Sequence, residues 1–161
     1  MKQSVLFLLL LVFVSCQDDP HFLGEFETIN TDDAVKGMIN NMAADIKVQG
    51  LKAKSNYMAA DFHEFWILPG MDKTMSKNEV ALLFGLWDKK NKVIDFKIDN
   101  LHVYPITLLR VVYHFNSELT YKDSLNTTHK MKQIESGVAS KFNLESKWMF
   151  LNGQISTINN N

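Results

Sequence analysis

Five histidines, one cysteine and scattered carboxylates are the groups in this sequence able to hold a metal or carry acid, base or nucleophile chemistry. His63 and Glu64 are adjacent, and consecutive residues of a strand point to opposite faces, so the two cannot chelate one ion. His102 and His114 can approach across neighbouring strands, yet two imidazoles without a placed carboxylate do not make a zinc site. The histidines read as surface groups, with His63 packed in an aromatic strand. No metal and no cofactor is expected. No glycine-rich phosphate loop, serine nucleophile elbow or dinucleotide fingerprint occurs. Tyr57, Tyr113, Asn152 and Gln154 each set a polar atom in an apolar stretch, where burial demands a partner from the protein or from a ligand.

Composition bounds the rest. The chain has 161 residues, 46% hydrophobic and 22% charged, with a net charge of −1. That is one domain's length, too apolar for disorder and without the basic surplus of a phosphate-driven nucleic-acid binder. One cysteine excludes an internal disulfide framework.

The elements that must position these groups follow from periodicity. Thr31-Asp32-Asp33 reads as a helix start, with Thr31 as the cap. Ala34, Met38, Met42 and Ile46 recur at helical spacing, widened by Val35 and Ile39, which predicts a helix from Asp32 to about Ala44. Asp45 is placed to cap a second helix through Tyr57 and Met58, weakened by Gly50. Phe62 to Leu68 is β-prone and closed by a Pro69-Gly70 turn. Ser76 and Glu79 form a capping box for a helix with Val80, Leu83, Phe84 and Trp87 on its apolar face.

From Val93 the period becomes two. The alternation changes phase near Asp99-Asn100, which predicts a β-bulge, a feature that re-aims side chains such as Asp99. Pro105 marks an edge or a turn. Leu109 to Leu119 alternates cleanly, and Asp123 to Thr127 is a hairpin loop. A weaker strand contains Gly137, Asn143 to Ser146 is a turn, and Trp148 to Ser156 is the last strand. Helices followed by long antiparallel strands predict an α+β domain in which the helices cover one face of a bent sheet.

The N-terminus reads as an export signal. Lys2 precedes an unbroken apolar run, Val5 to Val14, too short for the roughly 20 residues that a bilayer requires. Val14-Ser15-Cys16 resembles a lipobox, although Phe13 stands where Leu is usual, and Gln17-Asp18-Asp19 resembles the polar start of many Bacteroidetes lipoproteins. The expected division is a signal peptide over 1–15, a tether over 16–30 with Cys16 lipidated, and one domain over 31–158. The expected location is the bacterial cell envelope, anchored by lipid to the outer membrane, or else secreted. Membrane contact is expected through the lipid anchor alone, with no nucleic-acid partner.

Two segments carry a resemblance to a family. Tyr57 to Val80 (YMAADFHEFWILPGMDKTMSKNEV) and Trp148 to Ser156 (WMFLNGQIS) resemble stretches of the nuclear transport factor 2-like superfamily, which includes SnoaL-like cyclases and ketosteroid isomerases. In the second, Gln154 stands where His is common, which removes a titrating group. The resemblance implies N-terminal helices packed on a strongly curved antiparallel sheet, a cone, with a pocket between them. It implies Tyr57, Phe62, Trp66, Tyr113, Trp148, Asn152 and Gln154 as lining, with core packing the alternative for each. It implies Asp61 as the best-placed base, with Tyr57 or Tyr113 as a donor to an oxyanion, while Asp99, beside the predicted bulge, is a weaker candidate.

Three functions follow as expectations. The first is an exported binding module for a small apolar ligand or a partner. The second is an isomerase, cyclase or dehydratase acting on a small carbonyl compound. The third is a scaffold, a homodimer formed through the outer sheet face near Arg110, Val112, His114 and Glu118.

Overall fold

A computed structural model of the chain describes residues 25–60 and 66–158, with side chains from Thr31 onward. The apolar run, Cys16 and the first part of the tether lie outside the described residues, as do Asp61, Phe62, His63 and Glu64. Helix α1 spans Glu25–Gln49, a 3-10 helix spans Leu51–Tyr57, and helix α2 spans Lys77–Asp88. The strands are β1 (Trp66–Ile67), β2 (Lys92–Thr107), β3 (Arg110–Lys122), β4 (Thr128–Ser140) and β5 (Met149–Thr157). They form one sheet in the order β1-β5-β4-β3-β2. The long strands are antiparallel as expected, but the two-residue β1 runs parallel to β5. The sheet is therefore mixed.

Helix α1 is longer than its sequence signals predict. Thr31 is not its cap but a buried residue within it, and the helix already runs from Glu25. The buried stripe is Val35, Met38, Ile39, Met42, Ala43 and Ile46. Ala34 lies off it and is exposed, because the 3.6-residue period turns the face through Val35 and Ile39. Asp45 caps nothing: it stays inside α1. The chain leaves the helix at Gly50, whose φ of 88° is open to glycine and strained for other residues. The Asp88 carboxylate then closes the 3-10 helix, accepting from Leu51 N at 2.9 Å and Lys52 N at 2.8 Å. A Cβ at Gly50 would meet that carboxylate at 2.7 Å. Gly50→Ala should destabilise the protein by about 1–3 kcal/mol, read as a lower urea midpoint at unchanged slope.

Elsewhere the local signals hold. Ser76 and Glu79 form the expected capping box. Leu68 O accepts from Met71 N at 3.1 Å across the Pro69-Gly70 turn, where Gly70 has φ 74°. The register of β2 slips between Asp99 and His102, with Asn100 at φ 50°, which is the predicted bulge. Pro105 sits on β2, an edge strand, where a missing N–H is tolerated. On β3 the residues Val111, Tyr113, Phe115, Ser117 and Leu119 are buried. Arg110 and Val112 are exposed on the opposite face, with His114 and Glu118 half-buried there. Among the described residues no helix is long and apolar enough to cross a membrane.

Candidate functional site

The inner face of the sheet carries a buried polar cluster. Lys54 comes from the 3-10 helix, Tyr113 from β3, Glu135 from β4 and Trp66 from β1. Lys54 and Glu135 form an ion pair with side chains only 4% and 3% exposed. The other carboxylate oxygen, Glu135 Oε1, accepts from the Tyr113 hydroxyl at 3.2 Å, and the Asn152 carbonyl lies 3.3 Å from the same hydroxyl. Burial, and then the neighbouring Glu135 charge, hold the Tyr113 phenol well above its ordinary value of 10.0. The Lys54 ammonium lies 5.6 Å from the Trp66 ring centroid. The Trp66 indole Nε1 is buried with no hydrogen-bond partner among the described residues.

Two glycines make room for this arrangement. Tyr113 pairs with Gly137 across β3 and β4, and Gly137 pairs with Gly153 across β4 and β5. A Cβ at Gly137 would stand 2.8 Å from the Tyr113 hydroxyl, and one at Gly153 would stand 2.7 Å from both that hydroxyl and the Trp66 ring. The phenol is thus laid over bare backbone and held. Lysine, carboxylate and phenol satisfy one another, so the Tyr113 proton is committed to Glu135 and not offered to an oxyanion.

A second arrangement is open to solvent. Tyr57 and Trp148 come together in a groove of about 530 Å³ between α1 and the start of β5, with Met38, Asn41, Lys147 and Met149. The Tyr57 hydroxyl donates to Asp45 Oδ2 at 2.6 Å. Partial burial, reinforced by that carboxylate, raises the Tyr57 phenol to about 12. The raised value means that the neutral phenol is favoured in the fold. Its contribution to stability is complete below the ordinary 10.0 and is lost as pH rises through about 12. Ultraviolet titration should show one tyrosinate appearing near 12, and Asp45→Asn should bring it part of the way down.

The remaining predicted residues are dispersed. Trp66 and Tyr113 are fully buried in the interior cluster. Asn152 and Gln154 do not line the cone as anticipated. Val138 pairs with Asn152 and Ala139 with Phe150, so Leu151 is an extra residue in β5. That bulge reverses the alternation, turning Phe150, Gly153 and Ile155 inward and leaving Gln154 exposed. The Asn152 Oδ1 accepts from Val138 N at 3.0 Å, within the bulge. Asp99 is exposed. His102 and His114 do face each other across β2 and β3, but no cluster of three or more metal-ligating side chains occurs among the described residues. Asp61 and Phe62 lie outside those residues.

No protein-family model matches the chain, and no curated protein matches its sequence. Solved structures match its fold. A scytalone dehydratase-like protein from Novosphingobium aromaticivorans superposes with a TM-score of 0.71 at 5% identity, over 84% of this chain and 89% of that one. A ketosteroid isomerase-like protein from Erwinia carotovora atroseptica gives 0.65 at 12% identity, over 79% and 95%. A nuclear transport factor 2-like protein from Rhodospirillum rubrum gives 0.63 at 10% identity, over 78% and 98%. The chain has the nuclear transport factor 2-like fold.

Within that fold, two functional-looking residues escaped the sequence reading. Lys54 and Glu135 carry the only ion pair among the described residues in which both partners are buried. Glu135 had a signal: it stands in phase with Met131, Gly137 and Ala139 on β4, so it belongs to the inner face of a nuclear transport factor 2-like sheet. Lys54 had none of comparable strength, because lysine at that spacing is usually solvated. The fold itself leaves activity open, since unrelated functions share such scaffolds.

Proposed function

We propose that the chain is the ligand-binding domain of an exported lipoprotein, which holds a small apolar molecule in the groove between α1 and β5. One observation carries this reading. Tyr57 and Trp148, both implied as lining by the sequence resemblance, meet in that solvent-open groove, whereas the interior ionisable groups are taken up by one another. The groove sets Met38, Trp148 and Met149 beside Asn41, Asn56, Tyr57 and Lys147, a mixed lining that can hold an apolar body and orient it through polar contacts. Export rests on the apolar run and on Val14-Ser15-Cys16. A lone acyl chain holds weakly and two or three hold firmly, so the lipobox reading calls for a diacyl or triacyl chain beginning at Cys16.

The test is native mass spectrometry of the protein purified from membranes without stripping. The expected result is an acylated chain starting at Cys16 that carries a bound molecule, with the molecule lost in Trp148→Ala. An empty wild-type protein would overturn the ligand-binding reading. A free Cys16 thiol would overturn the lipoprotein reading.

A second reading, an isomerase or dehydratase with Asp61 as base, draws support from the fold shared with a scytalone dehydratase-like protein and a ketosteroid isomerase-like protein. It requires that Asp61→Asn abolish turnover of the bound compound. Unchanged turnover in that variant would end it.

A further inference from the structure

We propose that the groove opens into a cationic cleft, and that the ligand is an anionic amphiphile whose head group sits in that cleft while its apolar body lies along Trp148. The inference rests on the ligand-binding reading and adds the chemical class.

The cleft, of about 650 Å³, sets Arg110, Lys141 and Lys147 over Leu109, Met149 and Leu151. Lys147 and Met149 line the Tyr57–Trp148 groove as well, so the two spaces share a wall. No carboxylate among the described residues lines the cleft. Among the described residues, Arg110, Lys141 and Lys147 enter no ion pair. Lys141 Nζ donates to the Leu144 carbonyl at 3.4 Å and lies 5.3 Å from the Trp148 ring centroid, which joins the cationic and aromatic parts of the site. Glu145, the acid in the same loop, is exposed and is not part of the lining.

Three unpaired cations gathered in one cleft of a chain with net charge −1 repel one another, and a bound anion relieves that repulsion. The loop that presents Lys141 and Lys147 is fixed rather than loose. Lys141 N donates to the Leu109 carbonyl at 3.0 Å, and Asn143 Oδ1 accepts from the Ser146 N–H at 2.9 Å. At its lip Phe142 is 89% exposed and lines the cleft, an apolar wall with nothing yet to cover. A cationic rim over an apolar floor matches a carboxylate, sulfate or phosphate head on a hydrocarbon tail.

The test is titration calorimetry of the mature protein with three probes: dodecanoate below its micelle concentration, dodecyl maltoside as a neutral head on the same tail, and inorganic phosphate. A parallel arm measures co-sedimentation with phosphatidylglycerol vesicles. The expected result is dodecanoate binding at least about tenfold tighter than the maltoside, the worth of one charge-assisted contact. Arg110→Gln should weaken dodecanoate about tenfold, leave the maltoside unchanged and blunt the salt dependence, while Lys147→Gln should weaken dodecanoate more than the maltoside. Equal affinity for the two detergents overturns the anionic head and leaves the groove standing. Binding to phosphate alone, or to vesicles with no monomer bound, overturns the amphiphile in favour of a free anion or a bilayer surface. No heat from dodecanoate also overturns it, and the groove is then judged by the native mass measurement.

Discussion

Lys54→Met is expected to cost about 3–5 kcal/mol of stability, because it strands the Glu135 carboxylate in the interior with one of its two partners gone. For a chain of this size that lowers Tm by about 10 °C. The methionine fills most of the lysine's space, so the loss reports the charge and not a cavity. The double variant Lys54→Met with Glu135→Leu removes both charges and should recover most of the loss, since a buried ion pair is often replaceable by apolar groups of similar volume. Urea denaturation of the two single variants and the double variant measures the coupling. If the double variant costs as much as the sum of the singles, the pair is not the closed unit described above, and each charge answers to something else.

The second large effect falls on a residue with no side chain. Gly137→Ala should destabilise by about 3 kcal/mol, the upper part of the range for overpacking. Its Cβ would lie 2.2 Å from the Asn152 carbonyl oxygen and 2.8 Å from Gly153 Cα, both backbone atoms of the paired strand. A flexible side chain can step aside from such a contact, but a hydrogen-bonded strand cannot. The same substitution at Gly37 meets nothing within 4 Å in the middle of α1, and there it should stabilise by about 0.5–1 kcal/mol through helix entropy. Opposite signs from one chemical change, read as opposite shifts of the urea midpoint, are the expected result. A Gly137→Ala variant as stable as the wild type would contradict the close approach of Tyr113 and β5 to the bare backbone at Gly137.

Most of the fold was legible because it is written in local chemistry. The capping box at Ser76, the Pro69-Gly70 turn, the bulge near Asn100 and the alternation of β3 each depend on residues within a few positions of one another. What was not legible depends on partners far along the chain. Leu151 becomes an extra residue only because β5 pairs with β4 on either side of it, and that one residue turned Gln154 outward. Asp88 reads as the charged end of α2, yet it caps a helix 36 residues earlier. Asp45 reads as a cap and instead receives the Tyr57 proton donor. The candidate site divides in the same way. Tyr57 and Trp148 were implied as lining by the family resemblance, and both meet in the open groove. Lys54 and Glu135 were missed because each makes sense inside the core only when the other is known to be there.

A ligand held in the groove lies against Trp148 and not beside Trp66. The three tryptophan indole N–H resonances of 15N-labelled protein separate these places. Adding the molecule recovered from the native protein should shift the Trp148 indole signal and leave the Trp66 signal, deep among Lys54, Tyr113 and Phe150, where it was. A shift of Trp66 with Trp148 unmoved would put the ligand inside the cone, against the unpartnered indole nitrogen, and would contradict the groove as the binding site.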